Sequence, residues 1–317
     1  MIEENLVENL FKNDRRSVAR SISIIEKNDS DSAELLKKIY TKVGGAYRIG
    51  LTGPPGAGKS TITNQLTKLF RKLGKTVGII AVDPTSPYTG GALLGDRVRM
   101  SDIGQDNGVF IRSMATRGSL GGLSKKAVDA ADVLYAAGYD FILMETVGVG
   151  QSELDIAQAA DTTIVILVPE SGDAVQAMKA GLMEIADFFV LNKSDRPGSQ
   201  QAAAALKTIL GMRDHNEYSW MPNIIKTIAS ENKGISEIID EINRHHENLL
   251  NNNTFIPNRE KRMRVRIKEI VEEKLRTEFW SDTRENSLNL SLEKVVTGNI
   301  SPYHIADELF ENFKNQI

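Results

Sequence analysis

The chain has 317 residues, 41% hydrophobic and 26% charged, enough to bury one large α/β core and carry further helices. A net charge of −3 argues against a surface built to lie on nucleic acid or an anionic membrane, and the lack of cysteine removes disulfides, thiolate metal sites and cysteine nucleophiles together. No apolar run reaches the roughly 18 residues of a membrane span. The acidic start Met1-Ile2-Glu3-Glu4-Asn5 has neither a signal core nor the arginine-rich look of a transit peptide, so a cytoplasmic protein is expected.

Residues 1–43 read as a helical extension. Leu6, Leu10, Val18, Ile22 and Ile25 suggest one apolar face, and Asn28-Asp29-Ser30 breaks it. Asp31 with Glu34 resembles a reciprocal N-cap, for a helix that Gly44-Gly45 ends. An α/β domain is expected over 44–248. Tyr47 to Leu51 reads as a buried strand and runs into Gly53-Pro54-Pro55-Gly56-Ala57-Gly58-Lys59-Ser60-Thr61, which fits G-x-x-x-x-G-K-[ST]. A helical pattern with Ile62, Leu66, Leu69 and Phe70 follows. Strand, glycine loop, helix is the context in which inward-turned N–H groups and a helix N-terminus surround phosphate oxygens. Lys59 then falls to the β- and γ-phosphates and Ser60 to a Mg²⁺ ion.

Thr76 to Val82 is the next apolar run, ending in Asp83-Pro84. An acid at the C-terminal end of a parallel strand lies at the edge where α/β folds bind ligands, so Asp83 is a candidate for the metal; a solvated loop acid is the plain alternative. Residues 84–122 read as one long connection holding Asp96, Arg97, Arg99, Arg112 and Arg117. Asp96 is a second acid available to the metal, and spacing alone fits a plain loop acid equally well. The arginines fit either charge stabilisation at a phosphate site or surface ion pairs. Leu123 to Gly138 reads as a helix, and Asp140 to Glu145 as a strand entering Glu145-Thr146-Val147-Gly148. An acid-x-x-Gly there suits a carboxylate on the metal's water and a glycine amide at the γ-phosphate. Glutamate, one methylene longer than aspartate, favours a water-mediated role. Gln151 opens the next helix and is a candidate to orient the attacking water; a solvent-facing glutamine at a helix start is the plain alternative.

Thr162 to Val168 is a strand, the loop from Pro169 leads to a helix carrying Val175, Met178 and Leu182, and Phe188 to Leu191 is a further strand. That strand ends in Asn192-Lys193-Ser194-Asp195, the pattern N-K-x-D. Asp195 can accept two hydrogen bonds from guanine N1–H and N2–H₂, a donor pair adenine lacks. Asn192 is expected at the base's acceptor edge, and the Lys193 stem over the ring. After a helix from Ser199 to Leu210, the strand Asn223 to Ile228 leads to Ala229-Ser230, a small-residue turn whose amides suit guanine O6. A helix opens over Gly234 to Ile242. His245-His246, with no companion ligands, read as surface residues, as do His215 and His304. Residues 249–317 form a helical tail. It includes the basic run Arg259 to Lys268, which fits nucleic-acid or acidic-membrane binding but, with Met263, Ile267, Ile270 and Phe279 as an apolar stripe, fits better a helix packing along one face against a second subunit; Ser301-Pro302 starts a last helix.

Taken with Gly90-Gly91-Ala92-Leu93-Leu94-Gly95-Asp96, Ile111 to Gly118 and Glu145-Thr146-Val147-Gly148-Val149-Gly150-Gln151-Ser152-Glu153, these motifs resemble the methylmalonyl-CoA mutase-associated G3E GTPases, the MeaB/ArgK family, over nearly the whole length. The resemblance implies an α/β P-loop fold, a mainly parallel sheet flanked by helices, with helical extensions at both ends. It implies hydrolysis of GTP to GDP with Mg²⁺, the acids at Asp83, Asp96 and Glu145 serving metal and hydrolysis. A switch over about 169–179, including Lys179, would signal to the partner. That partner would be an adenosylcobalamin-dependent methylmalonyl-CoA mutase, served by a homodimer joined through 249–317. A GTPase metallochaperone and a GTP-holding regulatory module are the alternatives.

Overall fold

The structure, a computed structural model, describes residues 2–27, 30–42, 45–83, 100, 102–115, 125–146, 152–169, 181–212 and 220–315. The chain forms two compact units, Met1–Phe255 and Ile256–Ile317.

In the first unit, the described strands are β1 (Tyr47–Thr52), β2 (Val77–Asp83), β3 (Val109–Ala115), β4 (Phe141–Glu145), β5 (Thr162–Leu167), β6 (Phe188–Leu191) and β7 (Ile224–Lys226). They make one sheet in the order β3-β2-β4-β1-β5-β6-β7, with every pairing parallel. Parallel strands need crossovers, so both faces are covered by helices and most of the strands read as largely apolar runs. On one face Tyr47, Ile49, Leu51, Leu143, Ile164 and Ile166 pack with Ile62, Leu66 and Phe70 of the helix Lys59–Lys72 and with Ile235, Ile238 and Ile242 of the helix Ile235–Asn251. On the other, Ile80, Val82, Ile142 and Met144 pack with Ala130 and Leu134 of the helix Lys125–Ala136.

The N-terminal residues Leu6, Leu10, Val18, Ile22 and Ile25 share that second core and are all buried. They lie on two helices, Glu4–Phe11 and Arg15–Lys27, with Asp14 accepting from the Ser17 amide at 2.8 Å between them. The helix expected to be capped at Asp31 begins one residue earlier, at Ser30, which puts Asp31 inside the first turn, and Glu34 pairs with Lys38 at 3.0 Å.

β3 corrects the reading of 84–122 as one connection. Val109 and Phe110 are buried, and β3 pairs with β2 along its whole length, from Val77↔Val109 to Asp83↔Ala115. The apolar signal is short, and Arg112 and Ser113 interrupt it. Arg112 is explained by its partner: the guanidinium pairs with Glu26 and donates to Ser23 on the N-terminal helix. It fixes the helical extension to the sheet. Arg97, Arg99 and Arg117 lie outside the described residues.

The histidine pair is a second correction. The helix Ile235–Asn251 runs well past Ile242, and its buried positions recur at helical spacing through His245 and Leu249. His245 is only 3% exposed. Its Nδ1 bonds the Thr162 hydroxyl at 2.8 Å, and that hydroxyl bonds Tyr47 at 2.6 Å. Nε2 lies 3.3 Å from the Asp187 carboxylate. His246 packs its ring 4.4 Å from Tyr47 and 5.1 Å from Phe255. His304 is exposed as expected, and His215 lies outside the described residues.

Burial pushes the His245 imidazole from 6.5 down to about 4, against the opposite pull of Glu241. The unfolded imidazole takes its proton near 6.5 and the folded one near 4, so His245 costs nothing above that window. Stability then falls as pH drops from 6.5 toward 4. At pH 5 the expected loss is roughly 2 kcal/mol. Urea denaturation at pH 7 and pH 5 measures it, and this part of the slope should be missing in His245→Asn.

The second unit holds most of the helix Phe255–Phe279 and the helices Asp282–Val296 and Pro302–Lys314. Ser301 caps the last of these, accepting from the Tyr303 and His304 amides, with Pro302 in the first turn. No residue of Phe255–Phe279 is buried. The expected stripe is split: Met263 and Ile270 are half-buried, while Ile267 is 55% exposed. Among the described residues no helix is long and apolar enough to cross a membrane.

Candidate functional site

The motifs meet at the C-terminal edge of the sheet because every strand is parallel and each loop leaves from the same end. β1 sits between β4 and β5, so the glycine loop that follows it lies beside both. Gly53 has φ +134, and a Cβ there would lie 2.0 Å from the Ile166 carbonyl oxygen on β5. Only glycine allows the loop to leave the sheet so close to its neighbour. Gly58 has φ +93, and a Cβ would lie 2.3 Å from Asn192 Nδ2. The loop turns through Pro54, Pro55 and Gly56, with the Ala57 amide donating to Pro54 O at 3.2 Å. The helix Lys59–Lys72 begins directly after Gly58.

Lys59 is 6% exposed, and its Nζ donates to Gly53 O at 2.8 Å and Pro54 O at 3.1 Å. A buried ammonium requires acceptors, and the loop's own carbonyls supply them. Ser60 is partly exposed, and Thr61 is exposed. Glu145, at the end of β4, stands level with Leu51 on β1 and Ala81 on β2. Strand alternation puts it on the face of Leu143, toward the helix Lys59–Lys72. Its Oε1 accepts from Ser60 Oγ at 2.5 Å and its Oε2 from Thr63 Oγ1 at 3.1 Å. Only 4% exposed, the carboxylate is held by two hydroxyls of one helical turn. β2 ends at Asp83, two residues beyond the level of Glu145.

Asn192 and Lys193 leave β6 beside the same loop. Lys193 takes φ +54, and its Nζ donates to Gly56 O at 2.8 Å. Asn192 is buried, and its amide is engaged at both ends. Nδ2 donates to Ala57 O at 2.9 Å, while Oδ1 accepts from Thr227 Oγ1 at 3.0 Å and the Ala229 amide at 3.1 Å. Both Oδ1 lone pairs are used, and one amide proton remains for a base. Gln65, on the helix after the glycine loop, donates to Ala229 O at 3.2 Å. Asp195 and Ser230 are exposed, and Ala229 is buried. Asp96, Gly148, Gln151 and Lys179 lie outside the described residues.

The sequence reading did not single out Thr63, Gln65 or Thr227. Thr63 was findable from spacing alone, since it stands four residues after Lys59 and so on the same helix face. Gln65 and Thr227 carry no sequence signal, because their partners come from other loops.

The family model for the methylmalonyl-CoA mutase-associated GTPase MeaB matches residues 18–284. The chain belongs to the MeaB family. Relatives of this MeaB-family chain include the GTPase ArgK of Escherichia coli, 38% identical over 73% of the chain and 72% of that protein. The mouse mitochondrial methylmalonic aciduria type A homolog is 31% identical over 99% of the chain and 80% of that protein. A crystal structure of a LAO/AO transport system kinase matches with a TM-score of 0.74 and 27% identity, covering 99% of each chain. The MeaB-family chain is therefore a GTP-hydrolysing enzyme with a P-loop fold of the G3E type.

Proposed function

We propose that the glycine loop and the N-K-x-D loop form one cavity that holds GTP with Mg²⁺, and that hydrolysis there drives a chaperone cycle on an adenosylcobalamin-dependent methylmalonyl-CoA mutase. The observation that carries the nucleotide reading is the pair of bridges from Asn192 to Ala57 and from Lys193 to Gly56. They hold a phosphate-binding loop and a purine-reading loop at a fixed separation. In this reading the amides of Gly56 and of Gly58 to Thr61 surround the phosphates, Asp195 reads the guanine N1–H and N2–H₂, and in the Ala229-Ser230 turn the Ser230 amide meets O6, since the Ala229 amide is taken by Asn192. Lys59 exchanges its loop carbonyls for phosphate oxygens.

The donor set fits a hard cation. Ser60 offers a hydroxyl and Glu145 a buried carboxylate beside it, both oxygen ligands of the kind Mg²⁺ takes directly or through water. Asp83 and Asp96 are the further acids assigned to it. The ion supplies neutralisation of charge on the β- and γ-phosphates. The chain's own part is positioning: Glu145 orients the metal's water shell, Lys59 balances phosphate charge, and Gln151 and Gly148 serve the γ-phosphate side. The reading keeps the cytoplasmic setting expected from the sequence.

The mutase reading is supported by the family's description and by the mouse relative, matched along nearly the whole chain. The segment around Lys179 would carry the nucleotide state to the mutase. A homodimer through 249–317 accompanies it: Val265, Ile267, Val271 and Leu275 are 39–55% exposed on a helix without a buried residue, and a second copy would cover them.

The test is co-purification with adenosylcobalamin-dependent methylmalonyl-CoA mutase in GDP and in a non-hydrolysable GTP analogue. Capture that differs at least about tenfold between the two states is expected, a coupling of roughly 1.4 kcal/mol. No capture in either state overturns the mutase role.

A further inference from the structure

We infer that Thr63 is a positioning residue for Glu145, fixing the rotation of its carboxylate and so setting how tightly the nucleotide site holds Mg²⁺. The inference rests on the reading of the glycine loop as a Mg²⁺–GTP site.

The need arises from the sequence. A glutamate side chain has one more rotatable bond than aspartate, and ordering it costs more conformational entropy. A carboxylate at 4% exposure also needs donors on both oxygens. Ser60 supplies the first, but Ser60 is itself assigned to the metal. Thr63 supplies the second from a position with 0% exposure. Its Oγ1 lies 3.0 Å from Lys59 O and 3.1 Å from Glu145 Oε2, so one proton is shared between the two acceptors. The bond to Lys59 O anchors the hydroxyl to the helical turn that carries Lys59 and Ser60. Glu145 is thus indexed to that turn from both of its oxygens. When Ser60 turns a lone pair to the metal, Thr63 keeps the carboxylate aimed.

A bare structural role predicts something different. Thr67, one turn on, is also 0% exposed and makes the same kind of back-bond, to Thr63 O at 2.7 Å. Mid-helix threonines do this routinely. If Thr63 were only a back-bonding residue, Thr63→Val and Thr67→Val would behave alike.

The experiment is a calorimetric titration of GDP into the full chain, in EDTA and across a Mg²⁺ series, with a thermal melt of each variant. For Thr63→Val the expected result is unchanged GDP affinity in EDTA and a Mg²⁺ requirement raised about 10-fold, the usual scale for losing a partner of a metal-binding carboxylate. Thr63→Ser should restore the wild-type requirement, and Thr67→Val should match wild type. A wild-type Mg²⁺ requirement in Thr63→Val overturns the inference while leaving the nucleotide site intact. A raised requirement in Thr63→Ser, which keeps the hydroxyl and loses one methyl, overturns it even if Thr63→Val does not fold. Absence of guanine-nucleotide binding by the wild-type chain overturns both the site and the inference.

Discussion

Lys59→Ala is expected to lower GTP turnover by about 10²- to 10³-fold at saturating GTP and Mg²⁺, the cost of losing one preorganised donor to developing charge. The ammonium is buried and aimed into the loop by Gly53 O and Pro54 O, so no reorganisation of solvent is needed when phosphate oxygens replace those carbonyls. Alanine removes two hydrogen bonds, although Pro54 O keeps the one from the Ala57 amide. Their loss should cost on the order of 1 kcal/mol each, so the variant should still melt cooperatively. Single-turnover phosphate release, read beside the melting curve, separates lost chemistry from lost structure. A variant that hydrolyses at the wild-type rate would remove Lys59 from the mechanism.

The second large effect is on base choice. Asp195→Asn is expected to shift the preference from guanine toward xanthine nucleotides by about 10⁴-fold, since hydrogen bonds that a bound base buries reject the mismatched partner at that scale. The turn that presents Asp195 is fixed by backbone bonds, from the Ser194 amide to Thr227 O and from the Arg196 amide to Lys193 O, each 3.0 Å. The side chain itself is exposed, so exchanging an oxygen for an amide group should leave the fold alone. A competition titration of GDP against XDP measures the ratio. An unchanged ratio would mean that another group reads the base.

Several elements were legible because their signals are local. A glycine loop between a strand and a helix needs particular backbone angles, and only glycine permits those at Gly53 and Gly58. The strand runs at Tyr47, Thr162 and Phe188 are mostly apolar and almost wholly buried, as expected of strands covered on both faces. Ser301-Pro302 announced the last helix by its cap. β3 was not legible, because Arg112 and Ser113 break its apolar run and Arg112 makes sense only beside Glu26, 86 residues away. His245 was missed for the same reason. A polar residue on a helix reads as solvated until the strand bearing Thr162 and the loop bearing Asp187 are brought against it.

The order of motifs along the chain was enough to name the chemistry: a loop that can wrap phosphate, an acid at a strand end, and an N-K-x-D turn further on. Those are choices of residue type at fixed spacing, and spacing is a property of the chain alone. How the three come together was decided by folding. Asn192 faces Ala57 across 135 residues, and Glu145 meets Ser60 and Thr63 across more than 80, because a parallel sheet delivers every loop to the same edge. Hydrogen bonds between such distant residues depend on strand register and side-chain parity, and neither is written in any one segment.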